Sequence, residues 1–208
     1  MLSKRSKARY NGGSSRGEKA LTMTAKKTRT IILTALLAAL TTVATMVIRI
    51  PTPLAGGGYI HLGDGLVLIC GILLGPGLGA VAAGVGSMLA DVFAGAAAYV
   101  PATLVIKALT AAAGGWLYHR MAGHSSLHTP VRVALAGIPA EVIMVAGYYL
   151  YEVGLQIAAG SAAGAAAAAV LVGVPFNIVQ GLAGVIVCAV LLPVLGHANA
   201  EMGTRIHT

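Results

Sequence analysis

Residues 66–93 read LVLICGILLGPGLGAVAAGVGSMLADVF, and the way this stretch is divided decides the architecture. Gly75, Pro76 and Gly77 sit near its middle. Proline interrupts a helix and glycine weakens one, so the stretch is either one kinked helix or two short ones. Other apolar helices are predicted at about residues 30–50, 103–118, 131–153 and 168–195, of the order of the ~20 residues that cross a bilayer. Charge placement separates the alternatives. With two helices, starting near Asp64 and Leu78, the chain crosses six times, and 12 of its 14 Lys and Arg fall on one side. With one, Arg120, Arg132 and Arg205 move to the side opposite the basic N-terminal segment, against the positive-inside rule. The predicted fold is an all-α integral membrane protein of six transmembrane helices, both termini cytoplasmic.

Composition points the same way. The 208 residues are 57% hydrophobic and only 10% charged, with a mean hydropathy of +0.85, whereas soluble domains carry roughly 25% charged residues. Glycine (28 residues) and runs such as Ala165 to Ala169 supply the small side chains through which membrane helices pack closely. Cys70 and Cys188 lie inside apolar runs and read as buried small hydrophobes. Nine of the 14 Lys and Arg precede Ile31. Residues 1–29 therefore read as a basic, disordered cytoplasmic tail, a juxtamembrane anchor rather than a nucleic-acid arm, and Met23 is a candidate start. Residues 30–196 form the membrane domain and 197–208 a short cytoplasmic tail.

The apolar part, Ile31 to Leu195, nevertheless holds Asp64, Asp91, Lys107, Glu141 and Glu152, four of the six acidic residues of the chain among them. An ionised group at membrane depth costs on the order of 3 kcal/mol even on a lenient scale. Such groups persist where they pair, or where they face a ligand or a protein-lined cavity. Asp91, at the C-terminal end of its helix, and Lys107, in the first turns of the next, both oppose their helix dipoles and are placed to compensate each other. This is either a structural ion pair or a ligand-binding one. Glu141, Tyr148 and Glu152 are spaced by seven and four and share a helical face. Asn177 and Gln180, three apart, share another, suited to interhelical hydrogen bonds or to a ligand. Tyr99 and Tyr148 lie near charged groups, while Tyr149 and Tyr151 read as an interfacial belt. His61 and Asp64 stand at the mouth of the second helix, Asp64 mainly as a capping carboxylate and His61 as either a cap or a ligand contact. Thr103 reads as the cap of the fourth helix. His119, His124 and His128 have no Cys or acidic neighbour and read as a solvated loop rather than a metal site.

Several of these stretches resemble a known family. Tyr59-Ile-His-Leu-Gly-Asp64, Gly71-Ile-Leu-Leu-Gly-Pro76, Gly86-Ser-Met-Leu-Ala-Asp91, Tyr99-Val-Pro-Ala-Thr103 and Ile106-Lys107 are similar to the S components of energy-coupling factor (ECF) vitamin transporters, in particular the branch with hydroxymethylpyrimidine-type and pyridoxine-type members. The resemblance covers about Ile31 to Leu195. It implies a six-helix S-component bundle that captures a vitamin from outside, docks on a transmembrane coupling subunit driven by two ATPases, and releases the vitamin inside. It implies substrate contacts from His61, Asp91, Tyr99, Lys107, Glu141, Tyr148, Glu152, Asn177 and Gln180. It also implies contact with the coupling subunit through a small-residue pair on the first helix, matched here by Ala35 and Ala39. A chamber with few aromatic groups and many donors and acceptors suits a small hydroxylated ring such as pyridoxine or hydroxymethylpyrimidine.

Two other readings stay open on the residues alone. A stand-alone secondary carrier would use Glu141 as a proton relay, but no inverted repeat is visible. An intramembrane enzyme would use Glu141 or the Asp91/Lys107 pair as acid or base, yet the sequence has no nucleophile elbow, metal constellation or phosphate-cradling loop. No catalytic residue, metal or cofactor is expected.

Overall fold

The computed structural model describes residues 4–47, 49–51, 59–121 and 127–201, with side chains from 23–25, 27–47, 61–121 and 127–195. The elements are α1 (Lys4–Val47), β1 (Arg49–Pro51), β2 (Tyr59–His61), α2 (Gly63–Phe93), α3 (Val100–Arg120), α4 (Thr129–Ala158), α5 (Ala163–Leu171) and α6 (Val174–Glu201). Five of the helices contain segments long and apolar enough to cross a membrane, namely Met23–Val47 of α1, α2, α3, α4 and Val174–Leu195 of α6.

The second of these is two helices, not one. Gly75 has φ 79° and ψ 170°, a conformation costly for any residue with a side chain, and Pro76 follows. A Cβ on Gly79 would lie 2.5 Å from Cys70 O and 2.6 Å from Gly71 Cα, whereas eight or nine residues of straight helix span about 12–13 Å. Val67 and Cys70 likewise pack with Ala82 and Ala83. The chain therefore doubles back at Gly75 into antiparallel arms, 63–74 and 76–93, giving six membrane-embedded segments as charge placement predicts.

The first arm is the centre of the bundle. Every residue from Gly63 to Ile72 is buried, and α2 packs against α1, α3 and α6, while α4 joins α3 to α6. Glycine makes that crowding possible. A Cβ on Gly71 would lie 2.0 Å from Ala111 O, and one on Gly115 would lie 2.2 Å from Gly71 O. The break at Pro76 also removes the N–H that would serve Ile72 O. His119 fills the gap, its Nε2 lying 2.9 Å from Ile72 O. It is thus a structural residue, not part of a solvated loop. The large apolar side chains left exposed, among them Leu36, Val43, Val81, Leu109 and Ile186, form the lipid-facing shell.

Several expected boundaries move. α1 ends at Val47 rather than near residue 50, and Arg49–Pro51 pairs antiparallel with Tyr59–His61, Arg49 opposite His61. The backbone of α1 is helical from Lys4 rather than a disordered tail to residue 29. Lys, Arg and Ala, common in that segment, are good helix formers. The N-cap of α3 is Tyr99, not Thr103. The last apolar stretch divides into α5 and α6 around Val172 and Gly173. Arg205 and residues 202–208 lie outside the described residues, as does His124.

The Gly71–Gly115 contact generates a stability prediction. Gly71→Val drives a side chain into the backbone of α3 and is expected to cost about 3 kcal/mol, the upper end of ordinary overpacking. Gly77→Ala, at a position open to 4 Å, should leave thermal unfolding in detergent unchanged. Equal melting temperatures for the two variants would contradict the packing described.

Candidate functional site

The first arm of α2 is too short to cross. Its twelve residues span about 18 Å against a hydrocarbon core of about 30 Å. With its C-terminal end at one surface, its N-terminal turn lies at mid-membrane, and Asp64 is in that turn. The β1–β2 ribbon occupies the depth above it. Irregular backbone is tolerated at such depth only when protein groups satisfy it. Here the His61 N–H donates to Gln180 Oε1 at 3.2 Å, and the Gly63 N–H donates to His61 Nδ1 at 3.1 Å. His61 therefore caps the arm, one of the two roles its position suggested.

Asp64 is fully buried and receives two side chains. Lys107 Nζ, 1% exposed, forms a buried ion pair with Asp64 Oδ1, and Gln180 Nε2 donates to Asp64 Oδ2 at 2.7 Å. Close approach of α6 is possible because Gly184 faces Asp64, a Cβ there lying 2.7 Å from the Asp64 Cβ. Glu141 joins from α4. It is 5% exposed, lies against Gly181 of α6, and is within electrostatic reach of Asp64 and Lys107. Among the described residues, neither of its carboxylate oxygens has a hydrogen-bond partner. Four elements thus deliver Asp64, Lys107, Glu141 and Gln180 to one buried layer.

A second layer lies toward the ends of α3 and α4 that are joined to the α2–α3 loop and α5. Tyr99, Thr103 and Lys107 are four apart and share one face. The Lys107 ammonium sits 5.3 Å from the centroid of the Tyr148 ring, a favourable cation–π geometry. The Tyr148 hydroxyl is 2.9 Å from the Thr103 hydroxyl. One turn further, Tyr99 OH donates to Glu152 Oε1 at 3.4 Å and its ring meets Tyr151 edge-on at 5.9 Å. Tyr151 OH in turn donates to Ala98 O. Burial, reinforced by the Glu152 carboxylate, pushes the Tyr99 phenol up to about 12, so it remains a donor at neutral pH.

The structure thus gathers Lys107, Glu141, Tyr148 and Gln180 into one connected cluster with the His61 backbone, and Tyr99 and Glu152 into the layer beside it. Several expectations change. Lys107 pairs with Asp64 rather than Asp91, because the short arm carries Asp64 down to the depth of Lys107. Asp91 is buried near the other end of α2 and acts electrostatically on Tyr99 and Tyr148. Asp64, expected as a cap, is the hub. Asn177 is half-buried, and among the described residues no side-chain hydrogen bond ties it to the cluster. Tyr151 belongs to the second layer rather than to a lipid-facing belt, and Tyr149 OH reaches Ala167 O of α5 at 3.4 Å. The polar groups are packed against one another, where an open chamber was expected.

With this geometry in hand, comparison with known proteins identifies the class. The family described as "ECF-type riboflavin transporter, S component" matches residues 25–197, and the chain belongs to it. It is accordingly a multi-pass membrane protein and a vitamin-binding subunit of the ECF transporter type, not an enzyme family member. A Pyrococcus woesei protein described as an uncharacterized protein in the gap 3' region is 37% identical over 107 residues, covering 51% of this chain and 67% of that one. Two solved structures share the fold. One, titled "Structure and mechanism of the S component of a bacterial ECF transporter", superposes with a TM-score of 0.60 at 20% identity over 82% of this chain and 97% of the other. The S component for biotin from an ECF-type transporter gives 0.55 at 16% identity, over 81% and 93%.

The buried pair yields a sign-specific prediction. Removing one partner strands a buried charge, so Lys107→Met and Asp64→Leu should each destabilise by about 3–5 kcal/mol, whereas the double replacement should recover most of that loss. Thermal unfolding of the three variants checks this. A double variant no more stable than the singles would contradict a mutually compensating pair.

Proposed function

We propose that this subunit captures a small hydroxylated or aminated ring, a vitamin or vitamin precursor of the pyridoxine or hydroxymethylpyrimidine type, from outside the cell for ATP-driven uptake. One observation carries the reading: Asp64, Lys107, Glu141 and Gln180 arrive from four separate elements at one depth, far more polar chemistry than bundle packing requires. Tyr148, Tyr99 and Glu152 extend the cluster toward the end we assign to the exterior, and they complete a substrate path with His61, Asp91 and Asn177 at its margin. A small ring suits a site with only tyrosines as aromatic walls. Riboflavin is the second reading, supported by the description of the matched family.

Both termini are assigned to the cytoplasm on the positive-inside bias. The coupling subunit of an ECF module, with its two ATPases, would dock on α1. Ala35 and Ala39 are exposed on it, while Leu37 and Thr41, on the other side of the helix, are engaged internally, the Thr41 hydroxyl lying 3.6 Å from Cys70 Sγ. Two exposed small residues four apart leave a shallow stripe that a foreign helix can approach closely.

Titration of the purified protein with pyridoxine, hydroxymethylpyrimidine and riboflavin tests the substrate. Lys107→Ala should weaken binding of whichever is bound by at least about tenfold, the cost of a charged hydrogen bond. Ala39→Trp should leave binding intact and abolish cellular uptake. Uptake that persists in cells without the ATPases would point instead to a stand-alone carrier.

A further inference from the structure

Within the buried layer, Glu141 is the one group with no hydrogen-bond partner among the described residues. The Lys107 ammonium is paired with Asp64 and keeps further donors. The Gln180 amide is spent at both ends, its Nε2 on Asp64 and its Oε1 on the His61 N–H. Asp64 has both oxygens occupied by these partners. Glu141 alone, 5% exposed, has two oxygens with no hydrogen-bond partner among the described residues. A buried carboxyl group so placed leaves a strong donor and acceptor capacity unused, and buried polar groups are ordinarily satisfied. No described residue supplies the missing partner, and a bound small molecule would.

The chemistry of that partner follows from charge balance. Asp64 and Lys107 already cancel, so a group meeting Glu141 does best when it adds no net charge to the layer. It must also satisfy two adjacent oxygens. An aminopyrimidine edge, a ring nitrogen beside an exocyclic amine, does both. Against the carboxylic acid, the Glu141 O–H donates to the ring nitrogen and the amine N–H donates to the carbonyl oxygen. If the proton moves to the ring, two N–H groups donate to a carboxylate. Either distribution makes two hydrogen bonds and leaves the total charge unchanged. A single pyridine nitrogen or a hydroxyl satisfies only one oxygen.

We infer that Glu141 is the specificity-determining residue of this subunit and that it reads the paired ring-nitrogen and amine edge of an aminopyrimidine. The inference rests on the S-component reading above and narrows it to one ligand class.

Calorimetric titration of the detergent-solubilised full chain with hydroxymethylpyrimidine and with its analogue lacking the amino group tests it, with pyridoxine and riboflavin as parallel ligands. The wild type should prefer the amino compound by at least about 100-fold, since a site built for a donor rejects the analogue without it. Glu141→Leu, and the closer-shaped Glu141→Met, should bind both pyrimidines weakly and alike. Glu141→Gln, whose amide offers the same acceptor and donor pair, should keep most of the preference. Monodisperse elution establishes that the variants fold. A wild type that binds both pyrimidines equally overturns the inference, as does a folded Leu or Met variant that keeps the preference. Binding of pyridoxine or riboflavin but neither pyrimidine also overturns it, while leaving the S-component reading intact. Binding of none of the four ligands overturns both.

Discussion

An ammonium group held inside a lipid-embedded bundle needs a counter-ion, and the length of one helix decides which residue supplies it. Because the 63–74 arm cannot reach from one surface to the other, its first turn opens at mid-membrane and carries Asp64 to Lys107. The helix N-terminus there favours an anion, and Gln180 completes the carboxylate's shell. The remaining features follow from this placement. The depth above the arm is filled by the β1–β2 ribbon. Gln180 must satisfy ribbon backbone as well as Asp64, and Gly184 must be small so that α6 can come close. The ion pair is not a source of net stability, given the desolvation it entails. Its consequence is to fix the relative positions of α2, α3 and α6 around Glu141.

Glycine sets the geometry in which this can happen. Gly75 allows the reversal that makes two arms of one apolar stretch, and Gly71 against Gly115 lets the central arm approach α3 at backbone contact. In a lipid environment such approach is a principal source of helix association. The buried polar layer is thus held by a tightly packed apolar one, which restricts the polar side chains to few alternative partners.

Much of this was legible in the sequence. The Gly75-Pro76 break, the basic bias and the ionisable residues in apolar runs lead to six segments and to Lys107, Glu141, Tyr148 and Gln180. The partner of Lys107 was not legible by the same route. Asp91 is nearer in sequence and lies on the wrong end of its helix, so a dipole argument selects it. Asp64 is 43 residues from Lys107 and 116 from Gln180, and its depth depends on where the arm begins rather than on any local pattern. The arm's length was nonetheless the available signal, since a helix from Asp64 to Gly75 is too short to reach from one surface to the other. The ribbon has no sequence signal because three-residue strands among Gly and Pro have no periodicity, and the role of His119 has none because its partner is a carbonyl orphaned by a distant proline.

The account stands on a polar cluster that is incomplete without a small molecule. Mass spectrometry of material released by denaturing the protein purified from its native membrane addresses that most directly. The account predicts a low-molecular-mass ring compound in stoichiometric amount, lost when Lys107 or Glu141 is replaced. Recovery of lipid alone from native protein shown to be folded, even after growth with the vitamins supplied, would contradict it.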